Sequence, residues 1–122
     1  MVQRRKELGA EGEEQASRFL ERFGYKILER NYRSPLGEID IVATDGQVIC
    51  FIEVKTRRAL SYGWPQEAVH LRKQRRIVQV ALIYLKEKGI RDRDIRFDVV
   101  ARYGDNLELI KGAFEAGPHY YF

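Results

Sequence analysis

The segment GEIDIVATDGQVICFIEVKT, residues 37–56, holds two extended runs on either side of Asp45-Gly46. In the first run Ile39, Ile41 and Ala43 alternate with Glu38, Asp40 and Val42, the period-two signature of a strand. Asp45-Gly46 is a two-residue hairpin signal. In the second run Val48 through Ile52 is apolar on both faces, which predicts a central strand covered from both sides. With Asp45-Gly46 as the loop, Thr44 faces Gln47 and Asp40 faces Phe51. Cross-strand partners share a sheet face, and so do alternate residues of one strand. Asp40, Glu53 and Lys55 therefore converge on one face, with Glu38 opposite Glu53.

Before this hairpin, Ala16, Phe19, Leu20 and Phe23 recur at helical spacing and predict a helix over residues 7–23, ended by Gly24. At about 100° per residue, Glu13 falls on the border of this apolar stripe and Glu14 faces water. A carboxylate at the edge of a core needs a partner, because burying an unpaired charge is costly. Residues 25–33 read as a mixed strand near a sheet edge. After the hairpin, a second helical region ends at Gly89, with Ile77, Ala81, Tyr84, Leu85 and Lys88 on one face. Its first turn lies between Pro65 and Leu71. Residues 95–103 and 106–111 read as a hairpin around Gly104-Asp105. The order is α-β-β-β-α-β-β, an α/β single domain over residues 1–122 with a sheet flanked by helices.

Lys and Arg number 22 and Asp and Glu 18, a net charge of +4. The longest run without a charged side chain, Ile77 to Leu85, is far shorter than the roughly 20 apolar residues of a membrane span. No membrane partner is expected. The N-terminus has basic residues but no apolar run behind them, so no signal peptide is read. The single cysteine, Cys50, rules out an internal disulfide and a cysteine-rich zinc site. A reducing, cytoplasmic location is expected. No phosphate-cradling Gly-x-x-x-x-Gly-Lys-Ser/Thr loop is present, which argues against an NTPase. Basic residues gather at Arg4-Arg5-Lys6, at Lys55, Arg57 and Arg58, and at Arg72, Lys73, Arg75 and Arg76. Beside a carboxylate cluster, such knots suit a phosphate-rich partner.

Two adjacent carboxylates repel unless a cation or a proton lies between them. All-oxygen ligation suits a hard cation such as Mg²⁺ or Mn²⁺. Lys55 brings a positive charge to the same face. The chemistry that fits is metal-assisted hydrolysis of a phosphodiester. The competing reading is a solvated strand surface of paired charges, Glu53 with Lys55 or Arg57. Against it, Asp40 sits inside an apolar strand, and Glu53 and Lys55 end the most apolar strand of the chain.

Asp40, twelve intervening residues and then Glu53-Val54-Lys55, after a helix carrying Glu13, resembles the PD-(D/E)XK nuclease motif. Five segments together resemble the bacterial YraN family. They are Gly9-x-x-Gly12-Glu13-x-x-Ala16, Arg30-Asn31-x-Arg33, Gly37-Glu38-Ile39-Asp40-Ile41, Phe51-Ile52-Glu53-Val54-Lys55-Thr56-Arg57 and Arg96-Phe97-Asp98-Val99-Val100. Such proteins are similar in fold to archaeal Holliday junction resolvases. The resemblance implies a restriction-endonuclease-like core. It implies that Asp40 and Glu53 ligate a divalent metal, that Lys55 is catalytic and that Glu13 assists. One departure is the absence of Pro before Asp40.

The expected function is metal-dependent hydrolysis of DNA, with branched or junction DNA as one substrate class. The alternative is a non-catalytic nucleic-acid-binding module of a repair or replication assembly. Arg57, Arg58, Arg72, Lys73 and Arg76 are proposed to line the approach of DNA. For Lys73, near the start of the second helix, a solvated position is the other reading. A two-fold homodimer would suit a junction substrate. Asp98, inside an apolar strand, reads as structural and paired with Arg96 or Arg102. Trp64, Tyr62 and the Tyr120-Tyr121-Phe122 end could stack on bases or anchor a core.

Overall fold

The computed structural model describes residues 2–56 and 71–116. The elements are α1 (Val2–Arg22), β1 (Lys26–Ser34), β2 (Gly37–Asp45), β3 (Val48–Thr56), α2 (Leu71–Glu87), β4 (Ile95–Tyr103) and β5 (Asn106–Phe114). Their order is the expected α-β-β-β-α-β-β. Five strands form one mixed sheet in the order β1-β2-β3-β4-β5. All neighbours are antiparallel except β3 and β4, which run parallel. A parallel pair needs a long crossover, and α2 lies within that connection. No helix among the described residues is long and apolar enough to cross a membrane.

The two helices cover opposite faces of the sheet. Ala16 and Leu20 of α1 pack with Ile41, Ala43, Cys50, Ile52 and Val100. Ile77, Val78, Val80, Ala81, Tyr84 and Leu85 of α2 pack with Ile39, Val42, Ile49, Phe51, Phe97 and Val99. Consecutive β3 residues from Ile49 to Glu53 are all buried, which is why this strand reads as an unbroken apolar run. Aromatic rings fill the α2 side: Phe51 lies 5.7 Å from both Tyr84 and Phe97, and Phe97 stacks on Phe114 at 5.0 Å. One apolar residue departs from its expected place. Phe23, assigned to the stripe of α1, is 55% exposed. It follows the last helical residue, Arg22, and only edges against Phe19 at 5.0 Å.

The β2–β3 hairpin turns one residue later than the Asp45-Gly46 signal suggests. Asp45 pairs with Val48, Val42 with Phe51 and Ile41 with Ile52, so the loop is Gly46-Gln47. Gly46 supplies the positive φ, 61°, that a primed hairpin turn requires at its first position. Asp45 stays in the strand because its carboxylate accepts bonds from Arg96 at 2.9 Å and Lys111 at 3.2 Å. Each residue of β2 consequently meets a partner two places further along β3. Asp40 is therefore not opposite Phe51, nor Glu38 opposite Glu53. A two-residue slip preserves the sheet face of every side chain, so the convergence of Asp40 with Glu53 survives the correction.

Asp98 is fully buried at a bulge between β4 and β5. It accepts from Arg96 Nε at 2.8 Å, Tyr25 Oη at 2.9 Å and the Gly112 amide at 2.8 Å. Arg96 also donates to Tyr25 Oη at 2.8 Å and to Asp45. The network ties both edges of the sheet to its middle. It makes Arg96, and not Arg102, the partner of Asp98. The same bulge lets pairing resume at Phe97↔Phe114, so β5 runs to Phe114 rather than stopping at Lys111.

Candidate metal and phosphate site

Pairing between β2 and β3 ends at Ile41↔Ile52. Beyond it the Val54 amide donates to Asp40 Oδ2 at 2.8 Å. A side chain thus takes the place of the next ladder acceptor, and the two strands open around it. In the neighbouring β1–β2 ladder the register is unshifted from Glu29↔Val42 to Ser34↔Gly37, but the pairing skips Asn31 and Asp40. Ile39 belongs to the α2-side core and Ile41 to the α1-side core. Strict alternation would have put both on one face. Across from this break, Asn31 has a φ of 55°, a left-handed conformation that Asn tolerates better than most residues.

Asp40 and Glu53 meet at this opening. Burial, then the charge of Glu53, pushes the Asp40 carboxyl well above the usual carboxylate range, and the Val54 amide only partly offsets the rise. The two carboxyls are within hydrogen-bonding reach of each other. A buried acid and a half-buried one this close hold either a shared proton or a cation. The side chain of Glu53 is 8% exposed, and its Oε1 lies 2.5 Å from Lys73 Nζ of α2, whose side chain is 48% exposed. Lys73 is thus on an exposed part of α2 and lines the cavity, and its ammonium sits on Glu53 of the carboxyl pair.

Glu13 comes from the other side of the sheet edge. It is partly buried, while Glu14 is exposed and pairs with Arg18 at 2.8 Å. Burial raises the Glu13 carboxyl, a hydrogen bond from the Asn31 side chain lowers it, and the charges of Asp40 and Glu38 raise it again. Glu13 is thus less exposed than Glu14 and within reach of the charge of Asp40. Among the described residues no three His, Cys, Asp or Glu side chains converge tightly enough to hold one ion by themselves. Asp40 and Glu53 are the pair that could hold one, with water and substrate oxygens completing the shell. That is the usual manner of Mg²⁺, which keeps several waters and takes one or two carboxylates.

The pair opens into a cavity of about 540 Å³ lined by Gly37, Glu38, Asp40, Glu53, Arg72, Lys73, Arg76 and Ile77. Arg72, Lys73 and Arg76 all come from the first turns of α2, at the spacing that puts them on one flank. The Arg76 stem lies against Gly37: a Cβ there would be 3.0 Å from Arg76 Cδ, and Gly37 has a φ of 148°. Only glycine fits both demands. Lys55 follows Glu53 by two residues and shares its face by alternation. It is exposed and forms no ion pair with a described residue. Arg57 and Arg58, together with Trp64 and Tyr62, lie outside the described residues, as do Tyr120, Tyr121 and Phe122.

Two contributors escape a reading of the sequence. Asn31 holds Glu13, and its one available signal is the Arg30-Asn31 pair in an otherwise strand-like run. The Val54 amide holds Asp40, and a backbone donor leaves no signal in a sequence at all.

This is a mixed α/β protein whose central strands part around a carboxyl pair, half-buried Asp40 with buried Glu53, beneath a basic helix. The chain belongs to the family described as "Uncharacterised protein family UPF0102", whose model matches residues 12–101, and this family is the YraN-like one that the motifs resemble. A UPF0102 protein of Desulfosudis oleivorans is 48% identical over 118 residues, covering 95% of this chain and 96% of its own length. One from Moorella thermoacetica is 49% identical over 120 residues, 93% of this chain and 100% of its own. One from Syntrophus aciditrophicus is 51% identical over 111 residues, covering 88% and 87%.

Proposed function

We propose that this protein is a restriction-endonuclease-like nuclease that hydrolyses phosphodiester bonds in DNA, dependent on Mg²⁺ or Mn²⁺, with branched or junction DNA as a substrate class. The observation that carries the proposal is the Asp40–Glu53 pair, the glutamate buried and the aspartate half-buried, set where β2 and β3 part and open to a cavity flanked by Arg72 and Arg76. Holding a half-buried acid against a buried one is unfavourable, and a purely structural site gains nothing from it. A cation-binding site does.

When bound, the divalent ion lowers the pKa of an attached water and polarises a phosphoryl oxygen. Asp40 and Glu53 would hold and orient it, and the Val54 amide fixes the Asp40 carboxylate. Water adds to phosphorus, one P–O ester bond breaks and the departing oxygen takes a proton. The products are a phosphomonoester and a free hydroxyl. Lys55, exposed and two residues beyond Glu53 on the same strand face, would steady the negative charge that develops on the phosphoryl oxygens. Glu13, held by Asn31, orients water beside the pair. Arg72 and Arg76, with Arg57 and Arg58 further along the chain, supply phosphate contacts that give affinity without sequence preference. A two-fold homodimer would present two such sites to a junction. A reducing cytoplasm suits Cys50, whose buried thiol is pushed up to about 12 by its surroundings and is inert.

The second reading is a nucleic-acid-binding module without turnover. It is favoured by the Lys73–Glu53 ion pair, which by itself neutralises one of the two acids. The discriminating experiment is a cleavage panel of single-stranded, duplex, flap and four-way junction DNA in Mg²⁺, Mn²⁺ and EDTA. Cleavage in either metal, absent in EDTA and in Asp40→Asn, supports the nuclease. Binding that persists in EDTA, with no cleavage of any substrate, supports the module.

A further inference from the structure

We propose that Lys73 is a positioning residue that couples cation loading to phosphodiester binding. Its ammonium holds the place on Glu53 that a divalent cation takes, and it leaves that place for a nucleic-acid phosphate. The proposal rests on the nuclease reading of the carboxyl pair and adds to it the order in which the site fills.

Three features of the site carry it. First, Lys73 Nζ lies 2.5 Å from Glu53 Oε1, a distance at which a second cation on that oxygen is excluded by direct repulsion. Lys73 also acts on Asp40, where its positive charge opposes the rise caused by burial. One ammonium thus answers to both acids. Second, the two partners differ in freedom. The Lys73 side chain is 48% exposed and the Glu53 side chain 8%. The lysine can swing toward the cavity mouth, but the glutamate cannot follow it into water. A vacated Glu53 would be a buried charge beside a second acid, a state that draws in another cation. Third, the destination is adjacent. Arg72 and Arg76 flank Lys73 on α2 and line the same cavity, so a phosphate held there lies within the reach of a lysine stem. Lysine suits the task, being a compact charge with rotatable donors on a flexible chain, where arginine would fork rigidly onto the carboxylate.

When the ammonium leaves Glu53 for a phosphate, phosphate binding frees the pair for metal, and metal binding frees the lysine for phosphate. Such coupling is reciprocal by thermodynamic necessity. The protein would hold metal weakly until nucleic acid arrives.

The test measures Mn²⁺ binding from the electron paramagnetic resonance of the free ion, which does not depend on cleavage. Wild type, Lys73→Met, Lys73→Arg and Asp40→Asn are compared with and without a short DNA duplex. Without DNA, Lys73→Met should bind Mn²⁺ at least about fivefold more tightly than wild type. DNA should tighten Mn²⁺ binding to the wild type by about fivefold or more and change Lys73→Met by less than about twofold. Lys73→Arg, which keeps a cation on Glu53, should stay near the wild type when DNA is absent. Lys73 is half exposed, so Lys73→Met should melt as a folded protein, and a thermal melt checks this. If Lys73→Met binds Mn²⁺ as the wild type does, or more weakly, Lys73 is a fixed part of the site and the coupling is wrong, while the nuclease reading stands. If the wild type binds no Mn²⁺ with or without DNA, and Asp40→Asn changes nothing, the nuclease reading falls and takes the coupling with it.

Discussion

Replacing Asp40 by Asn should make the metal-free protein more stable at alkaline pH, although it alters the centre of the site. Asp40 titrates near 3.8 when unfolded and is raised to about 7 in the fold, first by burial and then by Glu53. A group whose folded pKa is raised keeps its proton in the native state after the unfolded chain has lost it. Native stability therefore falls as pH climbs from about 4 to about 7, and the loss is complete above that. At about 1.36 kcal/mol per pH unit, the full penalty is on the order of 4 kcal/mol, and it belongs to the Asp40–Glu53 pair jointly. Asn keeps the size of Asp, its carbonyl can still accept from the Val54 amide, and its amide can donate to Glu53. It cannot ionise, so the penalty disappears. The assay is urea unfolding in EDTA at pH 5 and pH 8. Wild type should lose stability between the two, on the order of a few kcal/mol. Asp40→Asn should be nearly flat across the interval and the more stable protein at pH 8. If Asp40→Asn proves less stable than wild type at pH 8, Asp40 is one member of a structural ion pair and the reasoning fails.

Lys55→Ala should abolish cleavage while changing stability by no more than about 0.5 kcal/mol, because Lys55 is exposed and without a described ion-pair partner; an activity assay beside a thermal melt checks both. Charge reversal at Arg72 or Arg76 should weaken DNA binding and reduce its salt slope by roughly one for each phosphate no longer neutralised, read from affinities over a salt series. Asp98→Ala removes the acceptor of three donors and leaves Arg96 short of a partner. It should cost about 3–5 kcal/mol in chemical denaturation.

How far the sequence carries is clearest at the hairpin. Asp45-Gly46 and Gly46-Gln47 are both acceptable two-residue turns, one of each primed type. What selects the second is the grip of Arg96 and Lys111 on Asp45, and both partners lie about half a chain away. The face of each residue is still legible, because the slip in pairing is even. Glu13 is legible from helical angle alone, since α1 is regular through that turn. Phe23 is not, because angle says nothing about where a helix leaves the sheet. Lys73 is legible as a cation near the site, but its partner is a residue of another element. The break of alternation at Asp40 is hidden for a related reason: it depends on the left-handed Asn31 in the neighbouring strand, and period-two reading assumes a straight strand.

The central claim is that Asp40 and Glu53 together hold a divalent cation. The most direct measurement is diffraction at the manganese absorption edge from crystals equilibrated with Mn²⁺ and a short DNA duplex. One anomalous peak between the two carboxylates, within coordination distance of an oxygen of each, with Lys73 withdrawn from Glu53, is the predicted result. No peak there, with Lys73 still on Glu53 at saturating Mn²⁺, would contradict the account.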